Sequence, residues 1–338
     1  MWNFISSVNL IRYLMVWRVN SPLVQRPPHL SAALSQVLGT IIANRLPTRP
    51  AREWRKALEA WGNATATPPP GQPPKKPGLD LCWPIEATLF AYPGKRTYGP
   101  GEIILWELKL VADSADHRLF LELVLPAMEE AASTSDPRWY HANSLWGHFD
   151  IHAVYAARGM GWDPVVSEGR LNLNYRTRST QWAEGLTFGL NIKRDFRRLT
   201  WITPFDLGEM PGARDALPHS PSTGSVPSSQ VPNFLGMLDA LIDRMRLFLP
   251  GKNPAAKDAW ALLSPGEQTE IWQALQQAKP LPRQHQKLES APKGGPGRWI
   301  GTQAFTTIPH GLLPYLELAS ILHIGKQTHF GCGTFTLA

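Results

Sequence analysis

Apolar residues recur along this chain with two different periods. Asn9 to Val19 is apolar and rich in β-formers, which predicts a first strand. After Pro27-Pro28-His29, the residues Leu30, Ala33, Leu34, Val37, Leu38 and Ile41 repeat at helical spacing and predict a helix over Leu30 to Ala43. A second helical stretch, Ala51 to Trp61, carries several charges. Strand patterns follow at Ile85 to Tyr92 and Glu102 to Val111. His117 to Ala132 then reads as an acidic amphipathic helix and Ser144 to Tyr155 as a strand. Strand, helix, strand, strand, helix, strand is the ferredoxin-like, split βαβ order.

The second half predicts the same order. Arg198 to Leu207 reads as a strand. Phe234, Leu238, Leu241, Met245 and Phe248 form one face of a helix capped by Asn233. Ser264-Pro265-Gly266-Glu267 is a capping box that starts a further helix through Ala278. Short strands near Trp299 and Thr306, a helix over 311–322 and a final strand over 328–337 complete the unit. The expected fold is therefore α+β, with tandem ferredoxin-like (RRM-like, βαββαβ) domains. Residues 1–155 form the first, 156–196 a basic connecting segment and 197–338 the second. Residues 65–78 are proline-rich and cannot bury a core, so they read as an exposed insertion. The stretches 211–232 and 280–297 read as loops.

Composition narrows the function classes. The chain has 338 residues, 43% of them hydrophobic, enough for two ordinary domains. A formal net charge of +7 favours an acidic partner. The two cysteines, Cys82 and Cys332, cannot build a disulfide framework and point to a reducing compartment. Arg12 and Arg18 interrupt the N-terminal apolar stretch, so no membrane span is expected there. A secretory signal fits poorly, and a cytoplasmic location is expected.

The chemistry-bearing residues are unevenly spread. Residues 1–60 carry Arg12, Arg18, Arg26, Arg45, Arg49, Arg52, Arg55 and Lys56 against Glu53 and Glu59. Residues 169–198 carry Arg170, Arg176, Arg178, Lys193, Arg194, Arg197 and Arg198, interleaved with Tyr175, Trp182, Phe188 and Phe196. Cations neutralise phosphates and aromatic faces stack on bases, although the same pattern suits a solvated hairpin packed on its domain. No Cys/His quartet, His-Glu-x-x-His, Walker loop or Gly-x-Ser-x-Gly elbow is present. Acid–base chemistry by histidine, lysine or tyrosine remains, with no metal and no cofactor expected. His148 and His152 share a strand and read as sheet residues.

Near the C-terminus the chain reads His323-Ile324-Gly325-Lys326-Gln327-Thr328-His329-Phe330-Gly331-Cys332-Gly333. Glycine permits φ > 0 and close backbone approach, and Lys326 would complete an anion nest. A tight turn before a strand fits the same spacing.

This segment resembles the C-terminal glycine-rich loop of the RAMP superfamily, the repeat-associated RNA-binding proteins of CRISPR systems. His323 stands where the first glycine is usual. Trp201-Ile202-Thr203-Pro204-Phe205, the helix Asn233 to Leu249 with Arg244, Gly294-Gly295 and Leu313 to Leu322 are similar to one branch, the Cas-six family of repeat-RNA endoribonucleases. The resemblance is strong over about residues 195–338, looser over 80–155 and faint before 80. It implies two ferredoxin-like domains. It also implies metal-independent cleavage of CRISPR repeat RNA by 2′-hydroxyl attack, leaving a 2′,3′-cyclic phosphate and a 5′-hydroxyl.

Catalytic residues vary within that family, so each must be weighed here. His29, at the start of the first helix, is the first candidate, with Tyr13 as partner if its strand faces the same cleft and His329 as a candidate acid. Lys326, Gly325, Gly331, Gly333, Arg194, Arg197 and Arg198 are the candidate RNA contacts. The expected partners are CRISPR repeat RNA or crRNA, and other CRISPR effector subunits. The alternative is a non-catalytic RAMP subunit that only holds crRNA.

Overall fold

Residues 8–65, 83–186, 188, 195–208, 232–248, 263–278 and 286–338 are described by the computed structural model. Most of the proline-rich insertion and Arg194 lie outside them. The chain divides into two units, one of Val8–Gly185 and one containing Leu186–Ala338.

The first unit is built on β1 (Leu10–Val19). Successive side chains of a strand point to opposite faces, so Ile11, Tyr13, Met15, Trp17 and Val19 all enter the core. β1 pairs antiparallel with β5 (Ile103–Val111) and with β6 (Phe149–Arg158). β3 (Ala87–Ala91) pairs with the other edge of β5, and β7 (Gly161–Ser167) and β8 (Arg170–Leu171) extend the sheet beyond β6. The resulting order is β3-β5-β1-β6-β7-β8. A small ribbon, β2 (Val24–Gln25) with β4 (Thr97–Tyr98), stands apart from this sheet.

Helices pack on the core face. α1 (Leu30–Arg45) buries Leu34, Val37, Leu38 and Ile41. α2 (Thr48–Thr65) leans on α1 through Ala51 and Trp54, and Trp54 meets Trp83 at 5.3 Å between ring centroids. The expected helix from His117 is not continuous. α3 (His117–Leu119) passes through a π turn (Phe120–Val124) into α4 (Leu125–Ser133). Pro126 has no N–H for the carbonyl of Glu122, and its ring would press on that carbonyl, so the helix opens there. The stretch is also more buried than its acidic residues suggested, with Phe120, Val124, Ala127, Met128 and Ala131 all in the core.

The sequence reading ended the first domain at 155. In the structure β7, β8 and a 3₁₀ turn (Gln181–Ala183) fold back against β6 and β1, and Trp182 donates through Nε1 to the Val8 carbonyl at 3.1 Å.

The second unit begins with β9 (Phe196–Phe205). α5 (Phe234–Phe248) and α6 (Pro265–Gln277) follow, the latter with the expected capping box of Ser264 and Glu267. β10 (Lys287–Ser290) lies inside the stretch read as a loop, and β11 (Trp299–Ile308) is one strand where two were expected. Gly301, at φ +133°, supplies a bulge that the pairing absorbs. α7 (Leu313–Leu322) precedes β12 (Phe335–Leu337). The sheet order is β10-β11-β9-β12. Taken in chain order, the main strands of both units lie second, third, first, fourth. Trp201 and Phe205 stack at 3.9 Å in the core. The buried Gln303 amide is satisfied at both ends, accepting from Trp201 Nε1 and donating to the Pro232 carbonyl.

The final strand is shorter than expected. Residues Thr328–Phe330 form a 3₁₀ turn, and Gly331 and Gly333 at φ +73° and +83° break the extended backbone before β12.

Candidate functional site

Pro27 and Pro28 hold the chain extended into α1, and His29 is the residue at its N-cap. Its carbonyl accepts from Ala33 N–H at 3.0 Å, while its imidazole makes no capping bond and is half-buried. The surroundings are stitched by backbone bonds. Arg26 N–H donates to the Arg96 carbonyl at 2.8 Å, and Arg26 Nη2 donates to the Tyr92 carbonyl at 3.2 Å. Ala91 N–H donates to Ser31 Oγ in the first turn of α1. The end of β3, the β2–β4 ribbon and the start of α1 therefore converge around His29.

This corner is basic. Arg26 is half-buried, and burial lowers its pKa against the opposing effect of Tyr98. Arg96 is exposed, with no ion pair among the described residues, whereas Lys95 is paired with Glu102. Burial, reinforced by the Glu107 carboxylate, pushes the Tyr92 hydroxyl up to about 12. An imidazole at a helix start, with Arg26 three residues before it and Arg96 bonded to the Arg26 backbone, suits an anionic ligand with a transferable proton.

Tyr13 does not share that corner. It is fully buried on the helix-covered face of the sheet, 2.8 Å from His117 Nδ1 and stacked on Phe120 at 4.1 Å. Burial pushes its pKa well up, so it keeps its proton. The strand alternation that puts Ile11, Met15 and Trp17 in the core puts Tyr13 there too.

The sequence pattern places His117 at the start of a helix and assigns it no role. It caps a helical stripe with Phe120, Val124, Ala127 and Ala131, a spacing that would have identified it as inward-facing. Burial lowers its pKa, and Arg176 lowers it further.

The outer face of the same sheet carries a second buried polar group. Arg12 grips Glu107 through Nε at 2.6 Å and Nη2 at 3.4 Å, with Lys109 Nζ at 3.9 Å from the same carboxylate. Burial opposes the charges, but the Arg12 and Lys109 cations outweigh it and hold the Glu107 carboxyl below its usual range.

In the second unit the glycine segment is a packed corner. Ile324 N–H donates to the Gly333 carbonyl, Gly333 N–H to the Pro204 carbonyl and Lys326 N–H to the Asp206 carbonyl. His323, at φ +60°, lies 3.0 Å from the Gly331 carbonyl through Nδ1. A Cβ on Gly333 would sit 1.9 Å from the Ile324 carbonyl oxygen, and one on Gly325 2.5 Å from that of Asp206. The close approach these glycines permit is thus to the chain's own backbone. Gly331 and Gly333 are buried, and so is His329, edge-on to Phe330.

Lys326 is the exposed member. It has no ion pair among the described residues, and its stem lies over Gly208. The turn 291–298 docks beside it, with Gly297 N–H donating to Gln327 Oε1 and Arg298 N–H to the Phe205 carbonyl. Arg298, stacked on Trp299, and Lys293 are therefore at the same end of the sheet as Lys326. Arg197 and Arg198 are exposed at the start of β9, their N–H groups bonded to the Ala338 carbonyl.

In the described part of the basic stretch beginning at residue 169, Arg178 is ion-paired with Glu184 and Arg176 is tied to backbone, donating to the Leu173 and Tyr175 carbonyls. Tyr175 is tied to Gln181 and Asp163. Among the described residues, no group of three or more His, Cys, Asp or Glu is gathered as a metal site. No helix of the described residues is long and apolar enough to cross a membrane.

No family model matches the chain, and no curated protein matches it in sequence. Solved structures do match. A partial Cas6-RT-Cas1–Cas2 complex aligns over 98% of this chain and 46% of that longer one, at TM-score 0.55 and 11% identity. A Cas6 product complex aligns over 98% of this chain and 100% of that one, at TM-score 0.43 and 14% identity. Thermus thermophilus Cas6 aligns over 98% and 99%, at TM-score 0.41 and 12% identity. By fold, this chain is similar to Cas6-containing structures, the family its sequence resembles.

Proposed function

We propose that this chain is a CRISPR pre-crRNA processing endoribonuclease that cuts repeat RNA without a metal. The observation that carries the reading is His29. It is half-buried, its side chain is free of capping bonds, and it stands at the start of α1, three residues after Arg26, whose backbone is bonded to that of Arg96. RNA brings its own nucleophile. The 2′-oxygen attacks phosphorus as a base takes its proton, the P–O5′ bond breaks, and an acid returns a proton to O5′. The products are a 2′,3′-cyclic phosphate and a 5′-hydroxyl. His29 takes one of the two proton-transfer roles, and Arg26 opposes the negative charge that builds on the phosphoryl oxygens. Lys326, Arg197 and Arg198 contact the phosphate backbone elsewhere.

We read the two units as tandem ferredoxin-like domains, supported by the repeated second-third-first-fourth strand order. A second reading, a RAMP subunit that holds crRNA without cutting it, is favoured by the burial of Tyr13 and His329, which leaves His29 as the accessible candidate among the three. Incubation with the cognate repeat RNA in excess EDTA decides between them. Cleavage to a cyclic phosphate supports the nuclease; tight binding without a cut supports the holder. Strict Mg²⁺ dependence or a 5′-phosphate product overturns the mechanism.

A further inference from the structure

The geometry points to a second RNA contact on the first unit: a polar pocket between α1 and α2 that takes an unpaired nucleotide, flanked by a basic helix face that holds the neighbouring phosphates. The inference rests on the RNA-binding reading above but not on its catalytic part.

α2 is amphipathic. Ala51 and Trp54 face α1, and Arg49, Arg52, Arg55 and Lys56 are exposed, Arg55 at the edge that borders α1. None of the four has an ion pair among the described residues, although Glu53 and Glu59 belong to the same helix. Four unpaired cations against Glu53 within residues 49–56 leave a local positive excess that favours a polyanion.

Between the helices lies a pocket of about 610 Å³, within the range of roughly 300–1,000 Å³ that holds drug-sized ligands. Gln36, Thr40 and Asn44 line it from α1, Arg55 and Leu58 from α2, and Arg138 from the loop after α4. Glu59 is the carboxylate of the lining. The Gln36 amide oxygen is buried and has no hydrogen-bond donor, an unfavourable state that an arriving donor would relieve. Thr40 cannot supply it, because its hydroxyl donates to the Gln36 backbone carbonyl. A nucleobase brings such donors on its Watson–Crick edge, and Arg55 in the lining offers a cation to the attached phosphate.

The Arg138 loop adds a stacking surface. Arg138 lies 5.7 Å over the Trp139 ring while paired with Asp136. Tyr140, 44% exposed, stacks on His148 at 4.9 Å and 24°. Unpaired bases stack on such exposed rings, whereas a duplex keeps its base faces stacked and its Watson–Crick edges paired. The occupant is therefore single-stranded RNA.

The test uses the full chain with fluorescently labelled single-stranded repeat RNA and a duplex RNA of the same length. Arg52→Ala/Arg55→Ala/Lys56→Ala should weaken single-strand binding and lower the log–log salt slope by about 2, from about 0.7 per lost phosphate contact. Gln36→Leu should weaken single-strand binding while leaving the salt slope and duplex binding unchanged. Its melting temperature should hold or rise, because a buried unpaired acceptor has been removed. If wild type binds and cuts repeat RNA and the triple variant keeps its Kd and slope, the inference is overturned and the nuclease stands. If Gln36→Leu leaves single-strand affinity unchanged, the nucleotide pocket is overturned. If the variants weaken binding as stated but wild type never cuts, the nuclease reading falls and this one stands. If wild type binds no repeat RNA, both fall.

Discussion

Tyr13 and His117 are joined by a 2.8 Å hydrogen bond inside the first unit, 104 residues apart in sequence. The bond ties the central strand to the start of α3, and the Tyr175 backbone also hydrogen-bonds the imidazole. Burial holds the His117 pKa below its ordinary value of 6.5. A group that binds fewer protons folded than unfolded loses stability on acidification. The contribution of neutral His117 should therefore be complete above about pH 6.5 and decline as pH falls through the unfolded value towards the folded one. Urea denaturation at pH 8 and pH 5.5 should show this decline, and His117→Gln should flatten it. An unchanged pH dependence in the variant would assign the acid sensitivity to other groups.

His29 should separate catalysis from binding. His29→Ala should slow single-turnover cleavage of repeat RNA by roughly 10²–10⁴-fold with little change in Kd. Tyr13→Phe should instead act through melting temperature, because Tyr13 is a core residue. Full activity in His29→Ala would remove the proposed acid–base role.

The glycine corner yields two opposite outcomes. Lys326→Ala should leave the melting temperature unchanged, weaken repeat binding and reduce its salt slope by about 0.7–0.9. Gly333→Ala should lower the melting temperature, because the new Cβ would meet the Ile324 carbonyl and the φ of +83° alone costs about 1–3 kcal/mol. RNA affinity untouched by Lys326→Ala would reduce the corner to a structural turn.

Glu107 tests the buried charges on the outer sheet face. The side chains of Arg12 and Glu107 are 16% and 2% exposed, and removing one partner leaves a buried charge uncompensated. Glu107→Ala should cost about 3–5 kcal/mol in urea denaturation, more than an exposed pair such as Arg118–Glu122 would. A loss no larger than that of Glu122→Ala would show that water reaches the Arg12 guanidinium after the change.

Local rules made much of this protein legible in its sequence. Apolar periodicity located β1, α1, β5, α5 and α7, because each element buries one face whatever its partners are. The Ser264–Glu267 capping box formed as read, because its bonds span three residues. The path of the last strand needed more than spacing: glycines at 331 and 333 predict positive φ, but not that their close contacts are to Ile324 and Pro204. The fate of Tyr13 was likewise decided by tertiary structure. One strand presents a core face and an outer face, and only the helices lying on the sheet distinguish them. His117 entered the core because α3 lies across β1. Trp182 and Tyr175 are held by Val8 and Asp163 because the chain after β7 and β8 folds back onto the sheet, a placement set by distant backbone. Sequence determined which segments are helix or strand and which residue types could do chemistry. The packing of those segments decided that His29 and Lys326 remain accessible while Tyr13 and His329 are enclosed, because accessibility depends on what covers a side chain, and the covering residues come from far along the chain.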